Sequence, residues 1–238
     1  MNANPKLILA LIYTSCLGAL LIFLFSYLDF RDLTDYYYIK KNSEALLDYK
    51  EDNLFFFILF FFLLTTLWIF FLGFGSPVAI LSGFAFGQWY GTLISSISLT
   101  IGSTLLYIFA RYHFRHLIFD YLEEKIKNYK SLFKKNELFY FMIFRFAGGA
   151  GIPFPIQNIL PVVFDMKVKN YFYSTLLGLI PSIFIINTLG SGVEEFIGKN
   201  EDLGYLNIIF DPGIYWPIIG FFIILILSFL IRKKLFKK

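Results

Sequence analysis

Arg145 is the residue in this sequence best suited to binding a ligand, because it lies inside an apolar segment. A guanidinium surrounded by hydrocarbon costs at least about 2.5 kcal/mol, so it is usually paired or faces a water-filled cavity. Arginine can give two N–H groups to one phosphate, and the glycine-rich AGGAG that follows can expose backbone N–H groups to the same anion. We predict that Arg145 binds phosphate. The alternative is that it snorkels to headgroups near Glu137.

Two amide side chains, Gln157 and Asn158, follow in the same segment. Each can donate and accept hydrogen bonds, so together they can bind headgroup oxygens or a file of water molecules. The alternative is that they satisfy carbonyl groups freed around the neighbouring prolines, which we favour for Gln157. The predicted substrate-binding group consists of Arg145, Gly151, Pro153, Pro155, Gln157 and Asn158.

Other chemistries have little support in the sequence. His113 and His116 have a spacing that can place two metal ligands on one helical face, but nothing else supports a metal, and surface histidines explain them better. The lone cysteine, Cys16, excludes an intramolecular disulfide and a cysteine-based metal centre. The sequence has no nucleophile elbow, Walker sequence or HExxH motif. We predict neither an enzyme nor a cofactor.

The composition indicates that a bilayer surrounds these residues. The chain has 238 residues, of which 58% are hydrophobic and 16% charged, and its mean hydropathy is +0.66. Its apolar residues form blocks longer than a soluble core can bury. The net charge of +4 is spread near the ends of these blocks, which fits membrane orientation better than nucleic-acid binding.

Five apolar runs predict spanning helices, since about 20 residues cross the hydrocarbon at 1.5 Å per residue. The first run is too long for the apolar part of a signal peptide and no cleavage site follows it, so we expect it to be retained. The third run carries small residues at helical spacing, which allow another helix to pack closely within the chain or from a second copy. The runs are Leu7–Leu28, Leu54–Leu72, Gly91–Ala110, Asn170–Gly190 and Tyr215–Ile231.

Two further segments, 73–90 and 138–160, are apolar but rich in glycine and proline. Non-helical backbone at membrane depth is tolerated only inside protein or beside a water-filled cavity, so both segments predict re-entrant hairpins. Breaking residues recur at similar offsets from Pro77 and Pro155, which favours an inverted repeat with a central substrate site. The residues assigned to this architecture are Pro77, Gly83, Gly87, Gly91, Gly102 and Pro181.

The charges between spans predict an orientation. Residues 111–137 hold seven Lys and Arg against four acids, and their apolar residues recur at the spacing of a surface amphipathic helix. Arg111 opens this segment, and we assign it to the membrane interface. Residues 191–213 carry five acids and one lysine, and the chain closes on RKKLFKK. The positive-inside rule then places 111–137 and the C-terminus in the cytoplasm, and leaves the N-terminal orientation open.

The run from Pro77 to Arg111, PVAILSGFAFGQWYGTLISSISLTIGSTLLYIFAR, resembles the first half of a DedA or VTT domain. Arg145 and the PFPIQN of residues 153–158 resemble its second half, and the likeness covers residues 54–192. The resemblance implies two re-entrant loops that face each other, in a family linked to lipid scrambling, polyprenyl-phosphate recycling and proton-dependent transport. One departure from the best-studied bacterial branch is that residues 73–110 contain no acid, which argues against carboxylate-based proton coupling.

We therefore predict an all-α, polytopic integral membrane protein with two opposed re-entrant hairpins in an inverted repeat. The predicted parts are an N-terminal helix and connector (1–53), a DedA-like domain (54–192) and a last helix with a basic tail (193–238). The predicted function is scramblase- or flippase-like movement of phospholipid or polyprenyl-phosphate headgroups in a bacterial plasma membrane. Partners are anionic membrane lipids, with a homo-oligomer possible. The alternatives are a proton- or cation-coupled small-solute transporter and a non-transporting interaction protein.

Overall fold

The computed structural model describes residues 12–16, 18–19, 22, 26, 36–120 and 133–198, together with 212, 215–216, 218–220, 222–223 and 226. The elements in these residues are all helical, which confirms the predicted class. The chain divides into two compact units, Met1–Phe57 and Ile58–Lys238. The predicted spans Leu7–Leu28 and Tyr215–Ile231 lie mostly outside the described residues.

The described residues give bounds for eight helical elements, and other helical stretches, such as 115–120, are described beside them. Two of these elements are long and apolar enough to cross a membrane. These are Gly75–His113 and the Val168–Glu195 part of the helix Val168–Gly198. A third span is reached only if Ala45–Asp52 and Leu54–Phe70 are counted as one bent helix. The α-helices are α1 Tyr36–Asp52, α2 Leu54–Phe70, α3 Gly75–His113, α4 Glu137–Phe146, α5 Phe154–Ile159, α6 Pro161–Phe164 and α7 Val168–Gly198, with a 3₁₀ helix at Gly148–Gly151.

The centre of the second unit is the antiparallel pair of α3 and α7. The rings of Tyr107 and Tyr171 stack at 4.5 Å near one end of the pair. Near the other end, the Asn187 side-chain amide donates to Ser95 Oγ at 3.2 Å. Since residue numbers rise along one helix as they fall along the other, the two helices run in opposite directions. We call the two ends of this pair the Arg111 end and the Trp89 end.

Several buried hydroxyl groups along α3 donate to carbonyl groups one turn earlier in the same helix. Ser95 Oγ donates to Gly91 O at 2.6 Å, and Thr100 Oγ1 donates to Ser96 O at 2.7 Å. Such bonds let small polar residues sit in apolar surroundings without a partner on another helix. The small-residue stripe Gly91, Ser95, Ser98 and Gly102 is buried throughout and packs within this chain, against α2, α7 and the start of α3.

Residues 58–86 fold back on themselves as hairpin one. The reversal lies at 71–74, where Leu72 has a φ of 64° and Trp68 Nε1 donates to Phe74 O at 2.9 Å. Phe61 and Phe86 face each other across the hairpin with ring centroids 5.2 Å apart. The predicted span Leu54–Leu72 therefore ends earlier, at Phe70, and forms one limb of this hairpin.

A second reversal follows at Gly87, inside the predicted broken segment 73–90. Gly87 has a φ of 74° and interrupts α3, and Ser82 Oγ donates to Gly91 O at 2.9 Å across the break. Nine residues of unbroken helix would separate those positions by about 13 Å. From Gly75 onward the rest of the segment is regular helix, with Pro77 in the first turn of α3, where a missing N–H is tolerated.

Residues 137–164 form hairpin two at the Arg111 end. Helix α4 is the incoming limb, the Gly148–Gly151 3₁₀ turn reverses the chain, and Phe154–Phe164 is the return limb. Gly148, Gly149 and Gly151 have φ values of 61°, 69° and 81°, which L side chains rarely adopt. The broken segment predicted at 138–160 is thus a helix, a glycine turn and a short helix.

Candidate functional site

Arg145 lies near the end of α4, and its side chain is only 1% exposed. Its Nη1 donates to Gln157 Oε1 at 3.1 Å, and its Nη2 donates to Asn158 Oδ1 at 2.5 Å. Both acceptors lie on α5, so the guanidinium joins the two limbs of hairpin two. The structure therefore brings together the three polar residues that the sequence assigned to the site, and Arg145 does not snorkel to the surface in this conformation.

Gln157 also holds the glycine turn. Its Nε2 donates to Ile152 O at 2.6 Å and to Gly148 O at 3.3 Å. Gly149 permits this arrangement because any side chain there would overlap the Gln157 amide. The Gln157 amide nitrogen thus satisfies backbone carbonyls of the turn, which is the alternative that we favoured for this residue from the sequence. Its amide oxygen accepts a hydrogen bond from Arg145.

Tyr171 completes the polar group and was not singled out from the sequence. Its hydroxyl accepts from Arg145 Nη2 at 3.0 Å and donates to Asn158 O at 3.4 Å. The residue is fully buried on the first turn of α7. A tyrosine in an apolar helix gives no sequence signal that separates a core ring from a ligand of a distant arginine.

Aromatic rings surround the guanidinium. Its central carbon lies 5.0 Å from the ring centroid of Phe141, 5.2 Å from that of Phe154 and 5.9 Å from that of Tyr171. Cation–π attraction of this kind is worth about 2 kcal/mol when the cation is desolvated. The rings lower the cost of burying the charge without neutralising it.

The charge of Arg145 has no carboxylate partner within 4.0 Å among the residues that the structure describes. A guanidinium stays protonated in proteins, so the site carries a positive charge held by neutral groups. Two buried donors beside it, Arg145 Nε and Asn158 Nδ2, also lack hydrogen-bond partners in the described chain. A buried cation with unused donors is the environment that an oxyanion would neutralise.

The position of this site along the helix pair follows from Gly178 of α7. A methyl group placed there would come within 2.6 Å of Arg145 Cβ and 2.7 Å of Met142 O, so α4 and α7 touch at this glycine. Gly178 lies roughly midway between Tyr171 and Asn187, which mark opposite ends of the contact with α3. Arg145 therefore meets α7 between Gly178, which contacts its Cβ, and Tyr171, which bonds its guanidinium, in the half of the α3–α7 pair nearer the Arg111 end.

The other predicted site residues shape hairpin two or lie elsewhere. Gly151 and Pro153 lead out of the 3₁₀ turn, and Pro155 occupies the first turn of α5. Pro181 lies inside α7, which continues through it. Arg111, assigned to the membrane interface, is half-buried and bonds within the protein at the Arg111 end.

Arg111 belongs to a junction around Asp165, which has a φ of 54° and links hairpin two to α7. Arg111 Nη2 lies 2.6 Å from Asp165 Oδ1, and Arg115 Nη2 lies 3.6 Å from Oδ2. The next carbonyl, that of Met166, accepts from the Tyr107 hydroxyl and from Arg111 Nη1. The short polar connector around Asp165 is thus tied to α3 by side-chain and backbone contacts.

The two roles of Asp165 can be separated by mutation. Asp165→Asn keeps a residue that tolerates a left-handed backbone and loses a partly exposed ion pair worth about 0–1 kcal/mol. Asp165→Ala also adds about 1 kcal/mol or more of backbone strain. We expect melting temperatures in detergent to fall in the order wild type, Asn, Ala. An alanine variant as stable as the asparagine variant would show that the backbone at 165 relaxes without strain.

A profile of the VTT domain matches residues 73–192, which cover the reversal at Gly87, hairpin two, the Arg145 site and most of α7. The chain belongs to the VTT-domain family. This membership, with two helices of spanning length, makes it an integral membrane protein.

One curated relative is the uncharacterized protein YqeD of Bacillus subtilis (strain 168). It is 29% identical over 120 residues, which cover 48% of this chain and 55% of the relative. The chain thus spans about half the length of this relative. No solved structure matches the chain significantly.

Proposed function

We propose that this VTT-domain protein lets the phosphate headgroup of a phospholipid or polyprenyl phosphate cross between leaflets, in a scramblase- or flippase-like manner. The observation that carries the proposal is the buried guanidinium of Arg145, which is held by neutral partners only among the described residues. In hydrocarbon, such a charge is most favourably balanced by an anion that arrives with its own lipid.

The path is proposed to run between two re-entrant hairpins related as an inverted repeat. Three observations support this arrangement. Gly87 and Asp165 both have left-handed backbones and lie at the same offset from Pro77 and Pro155. The long helices that follow them are antiparallel. The ring of Phe154 packs where hairpin one leaves its turn, since a methyl group placed at Gly75 would lie 3.5 Å from it.

The structure corresponds to a closed state in this proposal, because a headgroup cannot reach a guanidinium that is 1% exposed. Opening moves the return limb Phe154–Phe164 away from α4, with the glycine turn as the hinge. Arg145 then exchanges its two amide acceptors for phosphate oxygens, and Asn158 Nδ2 adds a further donor. Bidentate guanidinium–phosphate pairing is stronger than a bond to a neutral amide, so the exchange is favourable.

The proposed location is a bacterial plasma membrane with the Arg111 end facing the cytoplasm. Described basic residues concentrate at that end, at Arg111, Arg115, Lys167 and Lys169, whereas the far end of α7 carries Glu194 and Glu195. Positive charge beside spanning helices favours the cytoplasmic side. The polar tail that begins after Ile231 carries the same sign.

The test is transbilayer exchange in liposomes that contain the purified full chain. We expect fluorescent phosphatidylglycerol to exchange faster than in protein-free liposomes, measured as the fraction of label that dithionite bleaches from outside. Fluorescent glucosylceramide, which lacks a phosphate, should exchange much more slowly because Arg145 gives it no anionic contact.

Equal exchange of the two lipids would contradict a phosphate-directed path. An absence of exchange by well-folded protein for every phosphate lipid tried would contradict lipid transport altogether. The small-solute transporter and the non-transporting interaction protein would then be the functions to test.

A further inference from the structure

Two separate segments bring lysines together at the Arg111 end of the molecule. The ring of Phe133 stacks on that of Phe164 at 4.1 Å, which places residues 133–135 beside the end of hairpin two. Glu137 Oε1 accepts from Lys167 N at 3.2 Å, which holds the start of α7 against the same region. Exposed lysines therefore surround the Asp165 junction, and we call them the lysine collar: Lys134, Lys135, Lys167 and Lys169.

Two acids of this region, Asp165 and Glu137, already have partners inside the protein. Asp165 pairs with Arg111 and Arg115, and Glu137 also accepts from the Asn170 side chain. Among residues 36–120 and 133–198, the ion pairs of 4.0 Å or less at this end join Asp165 to arginines. No carboxylate of these residues lies within that distance of a collar ammonium group. Their charge faces outward uncompensated by the described chain.

Exposed aromatic side chains follow the collar lysines by four residues, at Phe139 and Tyr173, and another lies next to Arg111 of the Asp165 junction, at Tyr112. Tyr112 is 67% exposed, and Phe139 and Tyr173 are each 45% exposed. Aromatic side chains at the end of a membrane protein mark the level where hydrocarbon meets headgroups. Lysines just beyond that level lie among the headgroups themselves.

We propose that the lysine collar binds anionic phospholipids of the surrounding bilayer and retains them at the mouth of hairpin two. The collar is separate from the Arg145 site, because the collar lysines are exposed whereas Arg145 is buried. Each lysine near an anionic surface contributes about 1 kcal/mol, or about fivefold in binding constant. Four lysines together would enrich phosphatidylglycerol over phosphatidylcholine around this end.

The experiment counts lipids retained by the full chain in mild detergent, by native mass spectrometry during titration with phosphatidylglycerol or phosphatidylcholine. We expect wild type to prefer phosphatidylglycerol, and Lys134→Gln/Lys135→Gln and Lys167→Gln/Lys169→Gln each to lose about fivefold or more of that preference. The matched control is Lys40→Gln/Lys41→Gln, which removes two consecutive lysines from α1. This control should keep the preference for phosphatidylglycerol. Lysine-to-arginine variants of the collar should also keep the preference for phosphatidylglycerol.

Three outcomes would overturn the proposal. The preference could survive in the quadruple glutamine variant, or fall equally in the α1 control. Alternatively, glycerol phosphate could displace the lipid at equal concentration, which would indicate a site for a soluble anion. Failure of the lysine collar is read from lipid retention by the collar variants, and failure of the transport proposal is read from lipid exchange by Arg145→Gln, so the two failures are distinguished.

Discussion

Arg145→Gln should lower transbilayer exchange of phosphatidylglycerol by at least about tenfold. Glutamine keeps a polar side chain at this position but removes the charge and the planar pair of N–H groups that match a phosphate. A hydrogen bond to a charged group is worth about 1.5–3 kcal/mol, which corresponds to roughly tenfold to a hundredfold in rate when the headgroup meets it at the barrier. The dithionite assay measures the exchange rate directly.

Folding must be measured beside exchange, because the structure gives Arg145 a structural role as well. The substitution leaves Asn158 Oδ1 and the Tyr171 hydroxyl with fewer donors, each loss costing about 1–3 kcal/mol if unrepaired. Exchange should therefore be normalised to the folded fraction from size-exclusion chromatography. The exchange rate of Arg145→Lys should lie between those of wild type and Arg145→Gln, since lysine keeps the positive charge but not the planar pair of N–H groups.

The matched control for Arg145 is Arg115→Gln, which removes the same group from a side chain that is 55% exposed. Its exchange rate should stay near that of wild type. If Arg145→Gln exchanges lipid as fast as Arg115→Gln while both are folded, Arg145 serves only to hold hairpin two together, and the phosphate path must lie elsewhere.

The sequence predicted which segments depart from simple spanning helices, but not where the chain turns. Gly83 and Gly91 suggested broken backbone, whereas both lie in regular helix and are glycines because another backbone approaches them. The turn at 71–74 was missed because Leu72 adopts a positive φ without being a glycine. Composition alone cannot separate a glycine needed for its backbone freedom from one needed for its small size.

The candidate site was predicted in part for a related reason. Arg145, Gln157 and Asn158 stand out because polar groups in an apolar run are costly, and the structure places all three in contact. Tyr171 and the Asp165 junction depend on contacts between residues far apart in sequence. Nothing in a tyrosine near the start of an apolar helix, or in an aspartate between lysines, indicates which distant arginine it meets.

Gly83→Ala should destabilise the protein by about 2 kcal/mol or more, although alanine is the better helix former by about 1 kcal/mol in an open helix. A methyl group at Gly83 would overlap the backbone carbonyl of Asn187, and one at Gly190 would overlap that of Ile80. These two glycines therefore let hairpin one and α7 touch along their backbones. Since a carbonyl in a helix cannot move aside as a flexible side chain can, the helices would have to separate.

Gly87→Ala is the informative comparison, because Gly87 has space for a methyl group but an unfavourable backbone angle, whereas Gly83 has a helical backbone but no space. A methyl group at Gly87 has nothing within 4 Å, but its φ of 74° is strained for alanine, at a cost of about 1–2 kcal/mol. Melting temperatures in detergent should therefore fall modestly for Gly87→Ala and further for Gly83→Ala. A Gly83→Ala protein at least as stable as wild type would mean that hairpin one does not pack on α7 at this distance. The proposed path between the two hairpins would then lose one of its walls.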